Sequence, residues 1–187
     1  MRAARGGLPD HIKPGMRILF VGINPGLRSA AVGHHFAGYS NRFWKLLYES
    51  KLVPSPLTYE QDWRLPEWGF GLTNIVARPS RGIDVLTPGD YTAGRKRLLA
   101  KIRRYRPTVV ALLGVTLLPV LCPPSPPRLS RVSPVSPVSP VSRHLGLQSD
   151  SLAGASVFVL PNPSGRNAHY SYGEMLESYR ALKRLLE

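Results

Sequence analysis

A chain of 187 residues is long enough for one domain with a sizeable core and short for two. Its 25 Lys and Arg against 11 Asp and Glu leave a formal charge of +14. That excess points to polyanions or an anionic membrane surface as partners, while a hydrophobic content of 43% separates the chain from charged disordered tails. The single cysteine, Cys122, excludes an intramolecular disulfide framework, an all-cysteine zinc site and an all-cysteine iron–sulfur cluster, and it suits a reducing cytosol.

The first residues, MRAARGG, are basic but lead into no apolar signal core. Residues 17–22 (RILFVG) then form a short apolar run ending in glycine, the pattern of a buried strand. Residues 41–50 (NRFWKLLYES) place Phe43, Trp44, Leu47 and Tyr48 at helical spacing. A weaker strand follows at 71–76 (GLTNIV). Thr87 as N-cap with Pro88 at the first helical position opens a helix that Pro107 stops. Its stripe is Leu98, Leu99, Ile102 and Tyr105; the other faces carry seven cations from Arg95 to Arg106 and no acid. Such a run gains no internal pairing and suits a nearby polyanion.

A third strand is expected at 108–113, the start of the longest apolar stretch, Val109 to Cys122. Gly114, Thr116 and Pro119 interrupt that stretch and it is too short to span a bilayer, so neither membrane insertion nor secretion is expected. Between Pro119 and Pro140 lie eight of the 19 prolines, with a triplet repeat SPVSPVSPV at 133–141. Proline at that density is incompatible with helix or sheet, so residues 123–143 read as an extended insertion within the domain. The sheet is expected to resume at Ser156, and Ser171 with Glu174 forms a capping-box pattern opening a final helix. Alternation of strands apolar on both faces with helices predicts one α/β domain over 1–187: a three-layer αβα sandwich around a mostly parallel sheet of four or five strands.

In such sheets, sites form beyond the carboxyl ends of the strands. Two Pro/Gly-rich loops stand there: 22–26 (GINPG) after the first strand and 160–169 (LPNPSGRNAH) after the last. Turn chemistry alone explains either loop. Two of them at equivalent strand ends, in a chain this basic, favour a site. Neither is a G-x-G-x-x-G or Walker loop, so no nucleotide cofactor is expected.

Four motifs in order, GINPG at 22–26, GHHFAG at 33–38, NRFWK at 41–45 and NPSG at 162–165, resemble the mismatch-specific uracil/thymine DNA glycosylase family of the uracil-DNA glycosylase superfamily. The resemblance spans about Met16 to Val120 and Ser156 to Glu187. It implies the fold of that superfamily, cytoplasmic repair of double-stranded DNA (at the nucleoid in a bacterium), a monomer, and no metal or other cofactor. The implied reaction removes uracil, and thymine or damaged pyrimidines as further candidates, from mispairs with guanine. A base within a duplex is out of reach, so the nucleotide must be turned out into a pocket.

The resemblance makes Asn24 the residue that orients the attacking water. An amide accepts from water but cannot take its proton, so catalysis must lean on orientation and on stabilising separated charge. Phe36 matches the aromatic that stacks on the extruded base, worth ~1–3 kcal/mol. Backbone donors of residues 22–26, with Gly22 and Ile23 among them, are expected to hold the uracil carbonyls, and Ser29 to crowd the methyl of thymine. Asn74, near the end of the weak strand, is expected to face the same pocket. Arg166 stands at the family's wedge position, Ser164 is expected to touch a phosphate, Asn162 and Gly165 belong to the same DNA-binding loop, and Asn167, Ala168 and His169 are expected against the widowed guanine.

Among the carboxylates, Asp90 reads as a helix N-terminal acid. Asp84 has no such role and stands as a candidate assistant base. The five histidines, His11, His34, His35, His144 and His169, are scattered along the chain with no metal-ligand spacing. A non-catalytic binder of damaged or single-stranded DNA is the main rival function, and a hydrolase of free nucleosides explains the pocket but not the charge.

Overall fold

The computed structural model describes residues 7–123 and 145–187. Five strands form one sheet in the order β2-β1-β3-β5-β4. β1 (Ile18–Gly22), β2 (Phe70–Asn74), β3 (Val109–Leu113) and β5 (Ala155–Leu160) run parallel. β4 (Gly146–Leu152) pairs antiparallel with β5 at the edge. The expected mostly parallel αβα sandwich is the fold observed.

Alternate residues of a strand point to opposite faces, and here both faces are core. On one side Ile18, Phe20, Ala111 and Phe158 pack with Phe43, Leu46 and Leu47 of α2 (Phe43–Glu49) and with Met175, Tyr179 and Leu182 of α5 (Tyr172–Arg184). On the other, Leu19, Val21, Val110, Leu112 and Val157 meet Leu98 and Ile102 of α3 (Pro88–Tyr105) and Leu117 and Leu121 of α4 (Leu117–Leu121). Fully burying a side chain of this size contributes about 1.5–3 kcal/mol, so two clusters make the sheet a rigid platform.

Local signals set the long helices. Thr87 and Asp90 close a capping box at the start of α3, and Ser171 and Glu174 close another at the start of α5. α3 ends at Arg106 in the left-handed region, just before Pro107. The cationic faces of α3 are partly committed: Lys101 pairs with Asp10, and Arg95 donates to the Leu121 carbonyl.

Several elements differ from the sequence reading, the short α4 and a 3₁₀ turn at Ile83–Val85 among them. The sheet resumes at Gly146 rather than Ser156, because a polar segment gains its ladder by pairing with β5. A short helix α1 (Leu27–Val32) follows GINPG, and a 3₁₀ run (Tyr59–Trp68) precedes β2. The expected proline-rich insertion lies, from residue 124 on, outside the described residues. Among the described residues no helix is long and apolar enough to cross a membrane.

Candidate active site

The order of strands places β1 centrally, with β2 on one side and β3 on the other. The chain leaves their carboxyl ends in opposite directions, which opens a crevice there. A cavity of about 930 Å³ occupies it. Its walls come from the loop after β1, the end of β2, the loop after β3 and the loop after β5. Both Pro/Gly-rich loops therefore meet at one site.

Asn24 lines this cavity, and its amide nitrogen is committed. It donates to Ser80 Oγ at 2.7 Å and to the carbonyls of Arg78 and Pro25 at 3.2 Å each. The Ser80 hydroxyl in turn donates to the Gly82 carbonyl, and the Ser80 amide donates to the Pro25 carbonyl. The orientation of the Asn24 amide is thereby fixed. Its oxygen accepts from no donor among the described residues, so its lone pairs are left for a water. Ser80, only 7% exposed, was not singled out from sequence; it lies 56 positions away in a loop noticed only for its acids.

Phe36 lines the same cavity with its ring 4.2 Å from that of Phe43. Its φ of 54° is in the left-handed region, a conformation costing an ordinary residue about 1–2 kcal/mol. Anchored peptide groups on either side hold it there. The His35 amide donates to Asp62 and the His35 carbonyl accepts from Trp44, while the Ala37 amide donates to Ser29 Oγ and the Ala37 carbonyl accepts from Arg28. Ser29 is thus a brace of the Phe36 loop as well as part of the wall. Gly22 passes so close that a Cβ there would lie 2.4 Å from Asn74 Oδ1 and 3.4 Å from Phe36 Cζ. Gly22, Asn24, Phe36 and Asn74 therefore converge, with Ile23 in the same wall.

The loop after β5 is largely self-bonded. Asn162 Oδ1 accepts from the Ser164 amide, Asn167 Nδ2 donates to the Asn162 carbonyl, and Ser164 Oγ accepts from the Arg166 amide. Turn chemistry thus explains Asn162 and much of Asn167. Asn162, Ser164, Gly165, Arg166, Asn167 and His169 line the cavity, whereas Ala168 is exposed outside it. The exposed Arg166 guanidinium donates across the mouth to the Arg81 carbonyl at 2.7 Å. Asp84 is also an exposed part of the wall. Asp90 is held instead by Arg78 and Thr87 well below the usual carboxylate range, as its reading as an N-terminal acid implies. No cation of α3 lines the cavity.

Three of the histidines, His11, His34 and His35, gather in space around one carboxylate. Asp62, 1% exposed, takes His34 Nδ1 at 3.0 Å, His11 Nε2 at 3.2 Å and the His35 amide at 2.8 Å. Burial alone would raise the Asp62 pKa, but the neighbouring His11 ring and hydrogen bonds from the His35 amide and His34 bring it down to about 2. Burial also lowers the pKa of His35, outweighing its bond to the Pro9 carbonyl. Among the described residues no group of three or more His, Cys, Asp or Glu is placed to hold a metal ion.

These shifts carry a pH dependence. A histidine with a lowered folded pKa binds its proton more readily when unfolded, so its stability contribution is lost as pH falls through about 6.5. Asp62 has the depressed carboxylate shift, so its contribution is lost only below about pH 4. Relative to His35→Phe, the native chain is expected to lose Tm between pH 7.5 and 5; parallel Tm profiles in thermal melts would contradict this.

The family model described as Uracil DNA glycosylase superfamily matches residues 9–185.

Proposed function

This chain belongs to the uracil DNA glycosylase superfamily, whose members are DNA glycosylases, and from that premise we propose a monofunctional enzyme that extrudes uracil from mispairs with guanine. It hydrolyses the bond between base and sugar and leaves an abasic site. Thymine and damaged pyrimidines are further candidate substrates. It acts as a monomer on double-stranded DNA in the cytoplasm. The observation that carries this reading is the fixed amide of Asn24, with its oxygen open in the same cavity as Phe36 and Asn74.

The chemistry follows from what these groups can do. Phe36 offers a ring face to a pyrimidine, and Gly22 and Ile23 bring main chain close to it. Asn24 Oδ1 directs a water at the sugar carbon as the base departs, without removing its proton in advance. Rate then comes from geometry and from stabilising the leaving anion. Asp84 in the wall is a candidate for receiving that proton late. Arg166 gives up the Arg81 carbonyl to fill the space vacated in the duplex, and its guanidinium suits both stacking and phosphate. Ser164 contacts a phosphate, Asn167, Ala168 and His169 face the widowed guanine beside it, and Asn162 and Gly165 hold the loop on the duplex.

Single-turnover excision across uracil, thymine and adducts, each opposite all four bases, tests the assignment. Alkali-labile sites are expected with uracil opposite guanine. Salt-sensitive binding to every duplex without strand scission after alkali would instead identify a non-catalytic binder.

A further inference from the structure

We propose that His35 is a positioning residue for base recognition, fixing the side-chain amide of Asn74 in one of its two orientations so that the cavity presents an acceptor oxygen to the base. The inference rests on the reading that this cavity receives an extruded pyrimidine.

His35 is 1% exposed and forms part of the cavity wall. Its Nε2 stands 2.9 Å from the Pro9 carbonyl. A carbonyl only accepts, so that nitrogen carries the proton. In the neutral ring Nδ1 then bears a lone pair, and the group facing it at 3.4 Å is Asn74 Nδ2. The amide nitrogen donates to the ring, and Oδ1 is turned the other way, against Gly22 and toward the tip of Phe36. An Nδ1-protonated ring would require the opposite amide orientation.

The tautomer is held by an element remote in sequence. The segment carrying Pro9 is strapped to β2 by the antiparallel bridge of His11 with Leu72, and Asp10 is pinned by Thr73 and Lys101. Charged and titratable groups facing the ring act in both directions. His11 opposes its protonation, Asp62 and Asp10 favour it, and burial outweighs the carboxylates.

The consequence is chemical selection at one edge of the base. Uracil and thymine carry an N–H on the imide nitrogen and can donate to a fixed oxygen. Cytosine carries a lone pair on the same ring nitrogen and meets that oxygen with repulsion. A freely turning amide would serve both.

Two measurements on the full chain decide the matter. Nitrogen NMR of the histidines, assigned with His35→Gln, is expected to show His35 as the neutral Nε2-protonated tautomer at pH 7; an imidazolium or the Nδ1-protonated form overturns the proposal. In single-turnover assays, His35→Phe is expected to slow uracil excision about tenfold and to narrow the preference for uracil over cytosine. In an Asn74→Ala background the same substitution is expected to have no further effect. An equal loss in both backgrounds assigns His35 to folding alone and overturns it too. Should His35→Phe not fold, the tautomer decides. A native chain that excises no uracil would refute the functional reading and leave the tautomer to be judged by itself.

Discussion

Asn24→Ala is expected to lower single-turnover excision of uracil from a duplex by at least about a hundredfold, the scale on which misplaced or missing orienting groups act. Affinity for a duplex carrying an abasic product should stay within a few-fold. The expectation follows from the division of labour inside one side chain. The nitrogen of Asn24 is spent on Ser80, Arg78 and Pro25, and the oxygen accepts from no donor among the described residues. Alanine removes the oriented acceptor but leaves the main chain of GINPG in the bridge between Gly26 and Ser80. Ser80 loses a donor, and a stability loss of about 1 kcal/mol is expected. An Asn24→Ala enzyme that excises at the native rate would remove the amide from the mechanism.

The second large effect is expected from Gly165→Ala. A Cβ at this position would lie 2.3 Å from Ser40 Cβ and Oγ, and 2.7 Å from the Ser40 carbonyl oxygen. Because backbone is involved, no rotamer change relieves the overlap. The two loops are also joined by the Arg42 amide donating to the Pro163 carbonyl at 2.9 Å. Separating them moves Arg166 and Ser164 away from the wall that holds Phe36. Displacement of about 1 Å can cost on the order of a hundredfold in rate, and overpacking costs about 1–3 kcal/mol in stability. Gly173→Ala is the control, since nothing lies within 4 Å of an added Cβ there. Native excision and native Tm in Gly165→Ala would mean that the loops part without consequence.

What could be read without coordinates had local causes. β1 and β3 are apolar on both faces, a pattern that needs no partner to be recognised. α3 and α5 announce their starts through Thr87 with Asp90 and Ser171 with Glu174. β4 carries no such signal. Its sequence GLQSDSL is mostly exposed, and only β5 makes it a strand. The site divides in the same way. Asn24 and Phe36 sit inside contiguous motifs and Arg166 directly follows one, so their places in the cavity wall were legible by resemblance, whereas Ser80, Asp62 and the joint placement of His11, His34 and His35 depend on contacts between distant positions. Linear spacing does not show that His11, His34 and His35 meet, because a strap, a loop and a 3₁₀ turn converge on one carboxylate.

The cluster of acceptors around the Asn24 nitrogen also bears on how this enzyme can evolve. An acid at this position would gain a group able to withdraw the proton of water, and one nucleotide exchange suffices to encode it. Yet Asn24→Asp would turn an oxygen toward the carbonyls of Pro25 and Arg78, while the Ser80 proton is already given to Gly82. The new carboxyl would have to repel its neighbours or stay protonated at neutral pH, forfeiting its advantage. A lineage starting from this chain must therefore remodel residues 78–82 before or together with that exchange, which makes the amide a trapped solution rather than an intermediate one.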